Sequence, residues 1–480
     1  MALENLQPQE VFTFFEKLCS IPHGSYNLQQ ISDYLVSFAK ERNLEVIQDK
    51  ELNVIIKAPG SEGYEDKEPV ILQGHMDMVA VKDDNADIDM KTEGLRVKTD
   101  GEYVWAEGTS LGGDDGIAVA YCLALLDSKT IPHPPLEVVI TTNEETGMEG
   151  AAAIDLSGLK GRKMINIDNE VEGQFITSCA GGARVYSKVP VTRDVTYTGA
   201  KVLSVKVEGL LGGHSGEMIK CGRGNANIIL ARTLAEAGDK VNLNLISFDG
   251  GSADNAIPSS AVAQIVIGNR DLDAFKESVS ATEAAVKGEL EVKDPGLKIT
   301  VSDGTSSFDK AITAADTMKL LTMICTMPDG VQAMSSAVEG LVETSLNLGI
   351  VATKDGVITV EQSVRSSIES SKDFLIRKVK TIATMFGAGV EVNGNYPGWK
   401  FRQSSELRDH MVAVYKDMYG TEPRIEAIHA GLECGILSDK IEGLDCISIG
   451  PGMDDIHSPK ERLSVKSTAN VWEYLKAVLK

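Results

Sequence analysis

The chain has 480 residues, enough for two or three domains, and its 42% hydrophobic and 24% charged content is that of a globular protein with a large core. A formal net charge of −23 excludes nucleic acid and anionic membrane surfaces as partners. Seven scattered cysteines with no CxxC pair argue against a disulfide framework. With no signal peptide and no run near the ~18 apolar residues of a membrane span, a cytoplasmic location is expected.

After Pro8, the spacing of Val11, Phe15 and Leu18 predicts a helix, and Ile31, Tyr34, Leu35 and Phe38 predict a second. Leu44–Lys57 reads as a strand pair or one long strand, and Gly60–Glu68 as a polar loop. The run Val70-Ile71-Leu72-Gln73-Gly74 then reads as a buried strand that ends in His75-Met76-Asp77. Alternation along a strand would put His75 and Asp77 on one face, about 7 Å apart. An imidazole beside a carboxylate suits a metal ligand and the partner that tunes it. Taken alone, the motif reads equally well as a core histidine near a surface acid.

Asp83–Gly101 is acidic and irregular, with a hairpin leading to Val104-Trp105. Gly112-Gly113-Asp114-Asp115-Gly116 opens a helix over Ile117–Leu126. The apolar strand Leu136–Thr141 runs into Asn143-Glu144-Glu145-Thr146-Gly147, and Met164–Ile167 is a short strand ending in Asp168. Strands and helices alternate, and each strand ends on a polar residue. An α/β fold with a mixed, largely parallel sheet and a site beyond its carboxyl ends is the expectation.

The character changes around residues 185–200. Strand-like Val202–Val207, Leu243–Phe248 and Ala261–Ile267 accompany a helix near Asn227–Ala237. A second set follows, with a helix near Ala314–Cys325 and strands Val342–Ile350 and Val357–Val364 joined through Lys354-Asp355-Gly356. The helix Asp373–Ala388 closes it. Short turns between paired strands backed by helices suggest an α+β insert, and two similar halves in tandem are conceivable although no identity links them. Beyond Asn395 the first style returns, with a helix at Ser405–Tyr419, a buried strand at Leu444–Gly450, the turn Asp454-Asp455-Ile456-His457 and a last helix through Val471, Leu475 and Val478. Residues 1–190 and 395–480 are therefore expected to form a discontinuous catalytic domain, and residues 191–394 an inserted lid domain.

His75, Asp114, Glu145, Asp168 and His457 all fall at strand ends or in the turns after them. Two imidazoles and three carboxylates suit Zn²⁺, Mn²⁺ or Co²⁺ rather than Cu(I) or an iron–sulfur cluster. Five ligands exceed the three of a single catalytic zinc, and sharing one carboxylate gives three to each of two ions, as in two-metal hydrolases.

His75-Met76-Asp77, the Gly-Gly-Asp-Asp-Gly turn, Asn143-Glu144-Glu145, Asn166-Ile167-Asp168 and His457-Ser458-Pro459 together resemble the di-zinc aminoacylase and carboxypeptidase-G2-like metallopeptidase clan. Within it, the chain is most similar to the aminoacyl-histidine (Xaa-His) dipeptidase branch. The likeness runs from Ile21-Pro22-His23-Gly24-Ser25 to Arg462-Leu463 and takes in Gly251–Pro258 and Ala430–Gly435.

The resemblance implies a cytosolic enzyme that splits unblocked dipeptides with two divalent ions, Zn²⁺ first among them. It makes Asp114 the bridging carboxylate, with His75 and Asp168 completing one metal site and Glu145 and His457 the other. Asp77 would orient His75, and Glu144 would be the general base, facing away from Glu145 in extended chain. His214, in Gly212-Gly213-His214-Ser215-Gly216, would polarise the scissile carbonyl. Asn255 and Arg365 would anchor the substrate and Gly435 would bring backbone close to it. Each of these has a plainer alternative: a solvated acidic turn for Glu144-Glu145, a loop histidine for His214, a surface arginine for Arg365.

The turn departs from the branch's usual Gly-Ala-Asp-Asn-Gly, so Asp115 adds a charge beside the bridge and stands as its alternative. His23, His133, His410 and His429 have no ligand partner at informative spacing and read as structural, His429 being the first exception. An N-acyl-amino-acid deacylase of the same clan and a non-catalytic metal- or peptide-binding protein are the other readings. Both monomer and homodimer fit, with a doubled lid favouring supply of His214 within one chain.

Overall fold

The computed structural model describes residues 2–196, 199–306, 308–354 and 356–480, so Asp355 of the expected turn lies outside them. The chain forms two compact units, Met1–Cys179 with Trp399–Ala427 and Leu432–Lys480, and Ala180–Gly398 with Ile428–Gly431.

The first unit is built on an eight-stranded mixed sheet. Its four central strands, Leu136–Thr141, Val70–His75, Lys163–Asn166 and Asp445–Ser448, run parallel. Glu45–Gln48 and Val54–Ala58 form an antiparallel pair that extends one side, and Gln174–Cys179 lies antiparallel on the other. The central strands are buried along nearly their whole length, as a parallel sheet covered on both faces requires. Their register aligns the points at which they stop. His75 pairs with Thr141, Gln73 with Asn166, and Asn166 with Ser448, so the carboxyl ends finish within two residues of one level.

The helix Gly113–Asp127 is buried on every side from Gly113 to Leu126. Tyr121 stacks on Trp472 at 5.9 Å and its hydroxyl donates to the Thr468 carbonyl at 2.8 Å. Each buried Leu, Ile or Val contributes about 1.5–3 kcal/mol, so this apolar helix is a rigid mount for the turn at its start. Asp114 and Asp115 in that turn are not helical, with ψ of 105° and 28°.

The second unit carries a nine-stranded sheet whose described pairings are antiparallel. Leu203, Val205 and Val207, and Ala261, Ala263, Ile265 and Ile267, alternate onto one face and share a core with four helices. Lys298–Asp303, Lys201–Glu208, Ala261–Ile267 and Leu243–Gly250 make one half, with helices Ala226–Gly238 and Leu272–Glu289. Val342–Lys354, Val357–Ser366, Gly181–Val189 and Gly389–Tyr396, with Gly330–Met334 paired to Val342–Lys354, make the other, backed by Glu369–Met385, while Ala314–Thr326 packs on Ala226–Gly238 and Leu243–Gly250 of the first half. Among the described residues, the Gly250–Val351 pairing joins the halves into one sheet.

Candidate metal centre

The level strand ends gather all five expected ligands. His75 closes its strand with Nε2 3.2 Å from Asp114 Oδ1 and 3.8 Å from Asp168 Oδ1. On the other side, His457 Nε2 lies 3.0 Å from Asp114 Oδ2 and 2.9 Å from Glu145 Oε1. The two oxygens of Asp114 thus face different imidazoles, each paired with a further carboxylate. One ligand atom apiece from His75, Asp114 and Glu145 falls within 4.8 Å, and the same holds for His75, Asp115 and Asp168. Asp115 is fully buried; its Oδ2 accepts the His75 backbone N–H at 3.1 Å and its Oδ1 has no partner. His457 sits at φ 59°, a left-handed conformation that a β-carbon disfavours and that aims the imidazole at Asp114.

Two local geometries differ from expectation. The strand stops at His75, so Asp77 is not simply its same-face neighbour. His75 Nδ1 lies 3.0 Å from the Asp77 carbonyl oxygen and 3.6 Å from the Asp77 carboxylate. A carbonyl only accepts, so Nδ1 carries the proton and the Nε2 lone pair is left for a cation. The carboxylate of Asp77 instead accepts from Ser25 Oγ at 2.8 Å and from the Glu144 backbone N–H at 3.0 Å. Glu144-Glu145 is not extended either: it opens a short helical turn, Glu144–Gly147, after Asn143 at φ 52°. The two carboxylates diverge because neighbours on a helical turn point about 100° apart, not because a strand alternates.

A buried carboxylate beneath the site was not anticipated. Glu433 Oε2 accepts from Gln73 Nε2 and from Thr141 Oγ1, both at 2.6 Å, and Asn166 Nδ2 donates to Gln73 Oε1 at 2.6 Å. This network ties together the ends of the three strands that precede His75, Glu144-Glu145 and Asp168. Its sequence signal was only that an acidic residue falls inside Gly431-Leu432-Glu433-Cys434-Gly435.

The electrostatics show what the cluster lacks. Burial, reinforced by nearby carboxylates, pushes Glu144 up to about 8. Burial and the negative charges of Asp115, Asp114 and Glu144 raise Asp168 well above the usual range, and burial does the same to Asp115. Contacts with Asp114 and Glu145 drive His457 up to about 10. Burial would lift Asp114 too, but the bonds from His457 and His75 hold it low. So many crowded, partly unpartnered carboxylate oxygens want positive charge, and oxygen and imidazole donors suit Zn²⁺, Mn²⁺ or Co²⁺. The residues fit a pair of divalent ions.

Comparison with known proteins agrees. The family model described as "Peptidase family M20/M25/M40" matches residues 71–480. The chain belongs to this family. Cytosol non-specific dipeptidase of Escherichia coli (strain K12) is 36% identical over 478 residues, covering 100% of this chain and 98% of that protein. The crystal structure of aminoacylhistidine dipeptidase from Vibrio alginolyticus matches with a TM-score of 0.94 and 36% identity, covering 100% of this chain and 98% of that one. Aminopeptidase PepT from Bacillus cereus shares the fold at a TM-score of 0.57 and 16% identity, with 99% and 98% covered.

The remaining expected residues of this M20-family chain fall in both units. Gly435 lies in the first turn of the Glu433–Lys440 helix of the first unit, with its N–H on the Leu432 carbonyl at 3.0 Å. In the second unit His214 pairs with Ala256, and Ser215 N–H bonds the Asn255 carbonyl at 2.8 Å, so Asn255, in the turn just before the strand Ala256–Ile257, lies beside the His214 strand. Arg365 stands opposite Ser345 and has a buried Nε without a partner. Burial and the Arg365 charge lower the His214 pKa. His429 has the same surroundings: its Nε2 is 2.7 Å from Ser345 Oγ, and burial with the Arg365 charge brings it down to about 4. His23, His133 and His410 each contact a backbone carbonyl at 2.6, 2.7 and 3.0 Å. Among the described residues no helix is long and apolar enough to cross a membrane, and all seven cysteines are free.

Proposed function

We propose that this M20-family chain is a two-metal dipeptidase that hydrolyses the peptide bond of unblocked dipeptides, Xaa-His dipeptides among them. The observation that carries this reading is Asp114, whose Oδ1 and Oδ2 lie 3.2 Å and 3.0 Å from the imidazoles of His75 and His457. His75, Asp168 and Asp114 would hold one ion, and Glu145, His457 and Asp114 the other, with Zn²⁺ the expected metal. When bound, the ions supply Lewis acidity at the scissile carbonyl and make water a stronger acid. Glu144 accepts the proton of the attacking water on its carboxylate and delivers it to the leaving amine nitrogen. Asp77 fixes the backbone of Glu144 and, through its carbonyl, the tautomer of His75. In the second unit, residues 191–394 serve as the substrate-anchoring lid. The Arg365 guanidinium grips the substrate carboxylate, Asn255 adds a polar contact, and His214 donates to the developing oxyanion. Gly435 lets substrate pass close to backbone. The 36% identity to a protein named cytosol non-specific dipeptidase supports a broad dipeptide range and a cytoplasmic setting.

The test is a substrate panel. Zinc- or manganese-loaded protein should cleave Ala-His, β-alanyl-histidine and other free dipeptides and leave N-acetyl and N-succinyl amino acids intact. The opposite preference would make it a deacylase. An intact panel that EDTA does not alter would leave only a binding role.

A further inference from the structure

Glu461 lies four residues after His457, is 2% exposed, and has no part in the proposed chemistry. Its carboxylate collects four consecutive backbone amides. Oε2 accepts from Leu111 at 2.8 Å and Gly112 at 3.2 Å, and Oε1 from Gly113 at 2.7 Å, with Asp114 at 3.5 Å. These amides lead into and open the helix Gly113–Asp127, where they have no helical acceptor, and an anion at such a nest is held by charge as well as by hydrogen bonds. The glycines are what let the chain wrap so closely. Gly112 has φ 68°, and a β-carbon there would meet Met78 Sδ at 2.9 Å, while one on Gly113 would sit 3.0 Å from Met453 Sδ and 3.2 Å from Glu461 Oε1.

His457 directly precedes the turn Ser458–Glu461, which the Glu461 N–H closes on the Ser458 carbonyl at 3.1 Å. This five-residue segment therefore touches Asp114 twice, through the His457 imidazole on the carboxylate and through Glu461 on the backbone. We infer that Glu461 is a positioning residue for the metal centre: it sets the Asp114 turn and the His457 segment against each other, so that the two oxygens of Asp114 stay turned toward His75 and His457.

The inference rests on the two-metal reading, and the experiment separates them. Glu461→Gln keeps the shape but turns an N–H₂ donor onto main-chain donors. Glu461→Asp keeps the charge but withdraws it by one methylene. Metal affinity is measured by competition with a chromophoric chelator, alongside metal-free circular dichroism and kcat and KM on Ala-His. Wild type should bind two ions per chain; if it binds none, the two-metal reading itself fails. With two ions in wild type, at least one variant should keep the metal-free spectrum while its metal affinity falls about tenfold or more, with the loss in kcat rather than KM. Affinity within twofold of wild type in every folded variant would overturn the inference. So would loss of the metal-free fold in both variants, which would make Glu461 a purely structural support.

Discussion

Asp77 Oδ1 accepts the backbone N–H of Glu144 at 3.0 Å, across 67 residues of sequence. The same residue presents its carbonyl to His75 Nδ1 at 3.0 Å. One aspartate thus orients both a candidate ligand and the candidate base. Replacing it with alanine keeps the carbonyl but strands the Ser25 hydroxyl and the Glu144 amide. Asp77→Ala should lower kcat by about 10–100-fold. Losing the two bonds should cost stability only about 1–3 kcal/mol. Parallel turnover and thermal melts check this, and activity that falls only as far as the folded fraction would make the residue structural.

Glu144 is close to the cluster without contacting an imidazole as Glu145 does. Glu144→Gln should therefore retain both ions by elemental analysis yet lose about 10²–10⁴-fold in kcat, the usual share of a general base. A variant that hydrolyses Ala-His at the wild-type rate would remove Glu144 from the reaction.

Chelation should abolish hydrolysis, and added Zn²⁺ or Mn²⁺ should restore it. Since ions that bind only the folded state add stability, the metal-loaded protein should also melt higher, by about 2.7 kcal/mol of stabilisation per site at a hundredfold excess over Kd. Calorimetry with and without EDTA measures it, and identical melts would argue against ions at the buried cluster.

Asp329, in the second unit, gives a pH dependence with a defined sign. Burial raises its pKa from 3.8 to about 6, although it accepts from Leu348 N–H at 2.7 Å and from Asn225 Nδ2 at 3.2 Å. The folded state binds the extra proton between those values, so this group costs nothing at low pH and its penalty grows as pH rises through about 6. A shift of this size corresponds to roughly 3 kcal/mol at neutral pH. Asp329→Asn keeps an acceptor for the Leu348 amide and removes the titration. Its stability relative to wild type should rise from pH 4 to pH 7 in denaturant unfolding, and a constant difference would show that Asp329 does not titrate there.

His214 and Glu144 lie in different units of the chain. If each chain completes its own site, mixing His214→Ala with Glu144→Ala protein should restore no activity. Recovery toward a quarter or more of the wild-type rate would instead mean that His214 serves a neighbouring copy.

The strand ends were legible because a parallel sheet reads as apolar runs that stop at polar residues, and the runs before His75, Glu144 and Asp168 do so cleanly. The helix after Asp114 was legible for a related reason, an unbroken apolar stretch after two glycines. Finer geometry was not. Glu144-Glu145 looks the same in sequence whether extended or helical, and only Asn143 at φ 52° turns it into a helical start. The Gly250–Val351 link that joins the two halves of the second sheet leaves no periodic trace.

By itself the sequence determined the α/β class, the strand-end positions and the donor chemistry that selects divalent ions, since hydrophobic periodicity and side-chain type are local properties. Tertiary structure alone decided that Asp114 faces two imidazoles, that Asp77 holds the Glu144 amide, that Glu433 ties three strands and that Glu461 cradles the turn before Asp114. Those relationships are contacts between residues 39 to 360 positions apart, set by sheet register and by the packing of one buried helix.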